Sequence, residues 1–378
     1  MNHRKKRRLG RRQAAGLSAA IVATVVIAGF TANWVWQATV SSGPTTPSGF
    51  GSSSPGGHQV PASHSPDGGG SPAATNSPSA GGGSPDAGAG SAAGLIPASG
   101  AYLGAYVEPA AYTPAAKIAA VRSFQRTVGG PIDLVHTYHP WFSAFPDAAD
   151  RYFVRSGKVL LLTWSGTPDT RKIIAGNYDA LIRARAEAVK RLGRPILMQF
   201  RHEMDRPNVQ WAVHGPKNYI AAWDHIRAIF TEVGATNVGW VWCPTGWGFG
   251  DGRAEPFYPG NNEVDWVCAD VYSITIRQPL QESAQPFLKW AKTTRKPVLI
   301  GEFAVNGTPS AWPTWLLAAG ELARVDRQIK GMAYFDANGA DSQGRPFQYW
   351  LGANEPALRT FHQMLHWGIF RPVLPGAR

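Results

Sequence analysis

Two glutamates stand out because each lies at the end of a short apolar run that begins at a proline. Glu203 follows the run from Pro195 to Phe200 and the pair Arg201-His202, and Glu302 follows the run from Pro297 to Gly301. Such runs predict buried parallel strands, so both carboxylates are expected at strand C-termini, where barrel and doubly wound folds place their chemistry. Two carboxylates at that edge suit glycoside hydrolysis. In that reaction one carboxyl protonates the leaving oxygen, and the other attacks the anomeric carbon or activates water.

The elements that would position these carboxylates alternate along the chain. Strand-like runs lie at 102–107, 132–136, 159–164, 196–200, 238–242, 264–269, 298–300 and 332–335, and helical patterns lie at 114–127, 178–192, 216–233, 279–293 and 312–326. Eight strand-like runs that alternate with helical patterns over a region of this length predict an α/β fold, specifically a (β/α)8 TIM barrel. An open α/β sheet is the alternative, but it would carry a Gly-rich turn where the chain has Val107-Glu108-Pro109.

The N-terminus has the composition of an export segment. Seven basic residues precede residue 13, and residues 13–42 carry no charge. The span 17–40 is long enough for one transmembrane helix, with residues 1–16 cytoplasmic and Trp34 and Trp36 at the outer interface. A cleavable signal peptide is the alternative, although Phe30 would occupy the −3 position for cleavage after Ala32. Both interpretations export the rest, giving a single-pass membrane protein with an extracellular catalytic domain, or a secreted one.

Residues 41–98 are rich in Gly, Ser, Pro and Ala and poor in large apolar residues. This composition predicts a disordered linker that makes no core contacts, followed by a catalytic domain over 99–378, which we expect to be monomeric. The net charge of +12 includes the N-terminal cluster, and the remaining basic residues are scattered. We therefore expect no nucleic-acid partner.

Four segments carry a resemblance to a known family. They are His202-Glu203-Met204-Asp205, Gly301-Glu302-Phe303, the segment from Tyr258 to Val267, and Trp240-Val241-Trp242-Cys243-Pro244. In their order and residue types they resemble the acid/base, nucleophile, pre-sixth-strand and fifth-strand motifs of glycoside hydrolase family 26. That family comprises retaining (β/α)8 glycosidases that act mainly on β-mannans, with members that cut mixed-linkage glucan or β-1,3-xylan.

The resemblance implies specific roles. Glu203 would be the general acid/base and Glu302 the nucleophile, with His202 orienting substrate beside the acid. Tyr272 matches the family tyrosine that hydrogen-bonds the nucleophile. The further expected substrate-binding residues are Trp211, Trp164 and His136.

Some positions depart from the family pattern. Gln199 stands where an arginine is common, Asp205-Arg206 replaces the usual Asn-Gly, and Tyr334-Phe335-Asp336 offers no tryptophan on the eighth strand. These positions surround the central sugar subsites. The β-linked polysaccharide that this chain would cleave, mannan-like or mixed-linkage glucan, is therefore not fixed by the motifs.

The sequence gives little support to a metal site or a phosphate-binding site. The chain lacks the second histidine of a zinc metalloprotease helix, and the Gly-rich segment 246–252 lacks the Lys and Ser/Thr of a phosphate loop, so no cofactor or metal is expected. Cys243 and Cys268 lie on adjacent predicted strands and could form a disulfide or remain two buried thiols. A non-catalytic polysaccharide-binding barrel on the same fold is the alternative to the enzyme.

Overall fold

The fold is a closed barrel of eight parallel strands in sequence order, which confirms the predicted (β/α)8 architecture. The computed structural model describes residues 92–166, 168–341 and 344–375. The barrel strands are β1 (Tyr102–Val107), β2 (Leu134–Pro140), β3 (Val159–Ser165), β4 (Ile196–Phe200), β5 (Val238–Trp242), β6 (Trp266–Ser273), β7 (Val298–Val305) and β8 (Ile329–Asp336).

Helices follow most of the strands and cover the outside of the barrel. They are α1 (Pro114–Thr127), α2 (Ala148–Arg155), α3 (Thr170–Ile174), α4 (Asp179–Leu192), α5 (Gln210–Val213), α6 (Gly215–Val233), α7 (Leu280–Thr294), α8 (Trp312–Val325) and α9 (Glu355–Leu365). After β8 comes a small antiparallel hairpin of β9 (Asn338–Ala340) and β10 (Pro346–Gln348). The hairpin, α2, α3, α5 and α9 were not predicted from the sequence.

Local signals explain where several helices begin and end. Thr113 caps α1 by accepting a hydrogen bond from the Ala116 amide, and α4 ends at Gly193, which adopts the left-handed conformation at φ 65°. Helix α2 begins with a capping box in which Asp147 and Asp150 each bind the other's backbone amide. These helix ends fix the loops that enter and leave the strands.

The strands alternate between two apolar layers. Residues such as Leu161, Leu197 and Leu299 fill the barrel interior, whereas their chain neighbours Leu162, Met198 and Ile300 pack against the helices. This period of two means that a side chain reaches the barrel interior only from alternate positions of a strand. The same rule decides which residues reach the C-terminal mouth.

A short segment ahead of β1 packs against the N-terminal end of the barrel. The side chain of Leu95 is buried with the interior cluster, and its carbonyl accepts a 2.8 Å hydrogen bond from the Tyr102 hydroxyl. Ser99 pairs with Val373 in an antiparallel bridge. Within the described residues, packed structure thus already includes Leu95, ahead of the predicted start of the catalytic domain at residue 99.

The rest of the predicted linker, the basic segment 1–16 and the predicted membrane anchor 17–40 lie outside the described residues. Among the helices of residues 92–166, 168–341 and 344–375, none has both the length and the apolar composition needed to cross a membrane.

The packing of Leu95 generates a test of the domain boundary. A chain that starts at residue 100 should be less stable than one that starts at residue 92, because it exposes the apolar surface that Leu95 covers. In the longer chain, Leu95→Ala should cost about 2–4 kcal/mol of unfolding free energy. Urea denaturation of the three proteins measures this, and equal midpoints for the two truncations would show that the segment contributes nothing.

Candidate active site

A β-bulge in β7 determines where Glu302 points. Ala269 pairs with Ile300, but the next residue of β6, Asp270, pairs with Glu302, so Gly301 is an extra residue in β7. Ile300 and Phe303 both pack in the outer layer. Gly301 and Glu302 therefore occupy the inward-facing position between them, and the bulge turns Glu302 toward the barrel mouth.

Gly301 has no room for a side chain. A Cβ atom there would lie 2.6 Å from Asp270 Oδ1 and 2.6 Å from Cys268 Sγ. Every other residue type would push these groups apart, so the Gly-Glu sequence is a steric requirement of the bulge. The sequence predicted that β7 ends at residue 300. The structure corrects this: β7 runs to Val305, and Glu302 lies within it.

Two tyrosine hydroxyls hold the Glu302 carboxylate. Tyr272 of β6 donates to Oε2, as the family resemblance implied, and Tyr138 of β2 donates to Oε1. Tyr349 stacks on Tyr272 at a centroid distance of 5.4 Å, and Tyr106 contacts Tyr138 edge to face at 5.0 Å. With both oxygens hydrogen-bonded and both tyrosines packed, the carboxylate has one defined orientation.

Glu203 lies on the turn that follows β4, at the same end of the barrel. Its backbone is in the left-handed region at φ 51°, and its amide donates a 2.8 Å hydrogen bond to the Cys243 carbonyl beyond β5. Arg206 Nη1 lies 2.5 Å from Glu203 Oε2, and the side chains of Glu203 and Arg206 are 14% and 29% exposed. The acid/base candidate is therefore anchored through its backbone, while its carboxylate is partly open to solvent.

The two carboxylates influence each other electrostatically. Burial, and then the negative charge of Glu203, raise the pKa of Glu302 to about 7, although Tyr138, Tyr272 and Arg206 oppose the shift. Burial, and then the negative charges of Glu302 and Glu203, also raise the pKa of Asp270 well above its usual range, which favours its neutral form. Burial, together with Arg201 and Arg206, lowers the pKa of His202 to about 3.

Asp205 fixes the loop after β5. Its carboxylate accepts hydrogen bonds from the Thr245 amide at 2.9 Å and from the Thr245 hydroxyl at 2.5 Å. A Cβ atom at Gly248 would lie 2.0 Å from Asp205 Oδ2, so the loop can pass the carboxylate only with glycine there. This aspartate therefore joins the Glu203 turn to the loop that carries Trp247.

His136 lies below the mouth and not at a strand end, which corrects its predicted position. Strand β2 continues to Pro140, and His136 Nε2 lies 2.7 Å from Thr163 Oγ1 inside the barrel. The Thr163 hydroxyl donates to Gln199 Oε1 at 2.5 Å. His136 is 2% exposed, so it belongs to a buried polar layer under the carboxylates and is not placed to contact a sugar.

Trp164 is also placed differently from its prediction. It faces the helices, stacks on Trp141 at 4.1 Å, and donates its indole N–H to the Trp141 carbonyl. Its side chain is fully buried, so the structure gives it a packing role instead of the predicted contact with sugar. The physical reason is strand alternation, because the inward-facing neighbours on β3 are Thr163 and Ser165.

Exposed tryptophans lie on the segments that follow the barrel strands, at the same end of the barrel as the carboxylates. Trp211 of α5, predicted to line the sugar site, is 65% exposed, Trp247 after β5 is 52% exposed, and Trp350 after the β9–β10 hairpin is 51% exposed. The Arg253 guanidinium lies 4.5 Å from the centre of the Trp247 ring. Flat indole faces around a mouth are suited to stacking on sugar rings.

Cys243 and Cys268 form a disulfide, which decides between the two alternatives left by the sequence. Asp270 Oδ1 lies 3.3 Å from Cys243 Sγ. Because a disulfide sulfur carries no proton, only the neutral Asp270 carboxyl can donate in this contact. The described residues also include a close group of His202, Asp270 and Glu302 that could hold a metal ion. Both Glu302 oxygens already accept tyrosine hydroxyls, so this group fits proton chemistry better than metal binding.

Sequence reasoning missed Tyr138, Arg206 and Asp270 as site residues. Tyr138 lies two residues past the predicted end of β2, and its inward spacing from His136 was the available signal. Arg206 was noted only as a departure from the family pattern. Asp270 carries no sequence signal of its own, because its role depends on the bulge opposite it.

The chain is similar to several known carbohydrate-active proteins. Endoglucanase H of Acetivibrio thermocellus is 32% identical over 217 residues, covering 52% of this chain and 24% of that protein. Beta-1,3-xylanase TXYA of a Vibrio species is 26% identical over 151 residues, covering 38% of this chain and 30% of that protein. The chain thus spans about a quarter to a third of the length of these relatives. No protein-family model matches it.

Solved structures share the fold. The catalytic domain of the GH26 endo-β-1,4-mannanase of Bacillus sp. JAMB-750 matches with a TM-score of 0.57 at 13% identity, covering 75% of this chain and 92% of that one. The β-mannanase of a symbiotic protist of the termite Reticulitermes speratus matches with a TM-score of 0.52 at 14% identity, covering 73% and 94%. The first of these structures is named as a GH26 enzyme, and both matches show the barrel fold that the motif resemblance implied.

The raised pKa of Glu302 generates a stability test. A carboxyl whose folded-state pKa is about 7, above its usual 4.5, contributes stability below pH 4.5 and loses it as the pH rises through 7. Glu302→Gln stays neutral at every pH. It should therefore be more stable than the wild type by about 3 kcal/mol at pH 8, and equally stable at pH 4.

Thermal melts of both proteins at pH 4 and pH 8 measure this difference. Glu321→Gln, which changes an exposed glutamate of α8, serves as the charge-matched control. A Glu302→Gln protein that melts at or below the wild-type temperature at pH 8 would contradict the electrostatic cost assigned to Glu302.

Proposed function

We propose that this chain is a retaining glycoside hydrolase of the family 26 type that cleaves β-linked polysaccharide. The observation that carries the proposal is the buried Glu302 carboxylate, held by the Tyr138 and Tyr272 hydroxyls at the same barrel end as Glu203. A binding module has no need to bury a carboxylate whose pKa is raised by that burial and then by a second carboxylate. A nucleophile that must attack one carbon from one direction does need such an arrangement.

The roles follow from the geometry. Glu302 is the nucleophile, because its two hydrogen bonds fix its direction and leave it to attack the anomeric carbon. Glu203 is the acid/base, because its partly exposed carboxyl can exchange protons with the leaving oxygen and then with water. Burial and the negative charge of Glu203 raise the pKa of Glu302, and turnover in a retaining site requires Glu302 to be ionised while the acid/base carries the proton.

The substrate class rests on the exposed indoles and on the names of the similar proteins. Trp211, Trp247 and Trp350 offer stacking faces around the mouth, which suits a chain of sugar rings. The related proteins are named as an endoglucanase, β-1,3-xylanases and β-mannanases. We take a neutral β-linked glycan, mannan-like or mixed-linkage glucan, as the substrate class, with His202 and Trp211 among the groups that bind it.

We also propose that the catalytic domain works outside the cell, on the basis of the first 42 residues of the sequence. The basic cluster before the uncharged span predicts that the N-terminus stays inside, and membrane attachment through residues 17–40 remains a prediction. Fractionation of cells with sequencing of the mature N-terminus tests it, and full-length protein in the cytosol would refute export.

Two substitutions separate the proposed roles. Glu302→Ala removes the nucleophile and should abolish hydrolysis of every substrate. Glu203→Ala should lose activity on polymer but keep a measurable rate on aryl β-glycosides, whose leaving groups need little protonation. The assays are reducing-sugar release from mannan, lichenan and β-1,3-xylan, and phenol release from aryl glycosides.

Glu263→Ala, at a half-exposed glutamate that pairs with Arg227, is the control for loss of a carboxylate elsewhere. If the wild type binds these polymers but hydrolyses none, the chain is a polysaccharide-binding barrel. If Glu302→Ala cleaves polymer at the wild-type rate, the assigned nucleophile is wrong.

A further inference from the structure

The Cys243–Cys268 disulfide lies just beyond the regular pairing of β5 and β6. The backbones of these strands pair at Val241 with Trp266 and at Trp242 with Val267, and an isolated parallel bridge joins Thr245 to Asp270 farther along. The disulfide joins the next residue along each strand, with both cysteines buried in the barrel interior. It therefore links the two segments covalently in the gap between the regular ladder and the isolated bridge.

On one side the disulfide is connected to the acid/base. The Cys243 carbonyl accepts the 2.8 Å hydrogen bond from the Glu203 amide. Glu203 is in the left-handed conformation, which a glutamate adopts only when its surroundings impose it. A shift of the Cys243 backbone would therefore move the turn that carries Glu203.

On the other side the disulfide lies against the nucleophile's bulge. A Cβ atom at Gly301 would be 2.6 Å from Cys268 Sγ and 3.0 Å from Cys243 Sγ, so both sulfurs face the bulged residue directly. Gln199 Nε2 contacts Cys268 Sγ at 3.5 Å, and Asp270 Oδ1 contacts Cys243 Sγ at 3.3 Å. The sulfur atoms thus lie between the bulge at Gly301 and the buried polar side chains of Gln199 and Asp270.

We propose that the Cys243–Cys268 disulfide is a positioning element that sets the relative placement of the two catalytic carboxylates. It touches the backbone that supports Glu203 and the bulge that supports Glu302, and it is a covalent link between them. The inference rests on the proposed function, since it assigns the disulfide a role in that reaction. A displacement of about 1 Å between reacting groups can cost about a hundredfold in rate, so loss of this link should lower turnover more than substrate binding.

The test uses the double variant Cys243→Ala/Cys268→Ala in the full chain. We expect kcat on an aryl β-glycoside to fall about 10- to 100-fold, while KM changes less than about threefold. Leu95→Ala is the matched control, because it also removes buried contacts but lies at the opposite end of the barrel. It should keep kcat within about twofold of the wild type when both are assayed well below their melting temperatures.

A second measurement, on the wild type, tests the proposal even if the double variant does not fold. Dithiothreitol supplies two electrons and two protons to the disulfide, which gives thiols at Cys243 and Cys268 and the cyclic oxidised reagent. Because the chain has only two cysteines, every alkylated thiol found by mass spectrometry reports on this bond. Activity should fall in step with the thiol count and return when the thiols are reoxidised.

The outcomes are distinct. A wild type without activity on any glycoside overturns the proposed function, and this inference with it. An active wild type whose double variant keeps kcat within twofold, or whose fully reduced form keeps full activity, overturns the positioning role alone. An equal loss of kcat in Leu95→Ala would also overturn it, because the effect would then follow from stability.

Discussion

The whole site depends on one extra residue in β7. Strand alternation alone would direct Glu302 to the same side as Ile300, into the apolar layer between the barrel and the helices. Gly301 shifts the register by one position, and Glu302 instead faces the mouth, where Tyr138 and Tyr272 donate to its carboxylate. The bulge in turn needs a residue without a side chain, since the disulfide sulfurs and Asp270 fill the space beside it.

Burying the Glu302 carboxylate is unfavourable, and the polar groups around the bulge offset part of that cost. Glu302 lies in a buried position near a second carboxylate, so its pKa rises, and the tyrosine hydroxyls and Arg206 offset part of that cost. The same environment favours the neutral form of Asp270, and burial with Arg201 and Arg206 lowers the pKa of His202 to about 3, so the neutral imidazole adds no charge. Burial therefore limits the number of charges beside Glu302. Stability is given up locally to keep a reactive carboxylate away from water.

The sequence predicted the parts of this arrangement that depend on local pattern. The bounds of β4, β5 and α1 follow from apolar runs and turn residues, and they agree with the structure at every residue. Both glutamates were placed correctly at the C-terminal end. Tyr138 was missed and His136 overvalued because the end of β2 depends on pairing with β3, which a single segment does not reveal. Trp164 was assigned to the wrong face, since the leucines at 160–162 cover both faces of β3 and only Thr163 and Ser165 mark the inward side. The bulge, the role of Asp270 and the packing of Leu95 are properties of the closed barrel and have no local signature.

The central claim is that Glu302 is a nucleophile aimed by the bulge, and trapping the covalent intermediate tests it most directly. An aryl 2-deoxy-2-fluoro-β-glycoside with a good leaving group forms a slowly hydrolysed glycosyl-enzyme in a retaining site. After digestion, mass spectrometry of the labelled peptide identifies the modified residue. The account predicts one sugar per chain, attached to Glu302, and no label in Glu302→Gln. A label on Glu203 or another residue, or hydrolysis with inversion and no label at all, would contradict it.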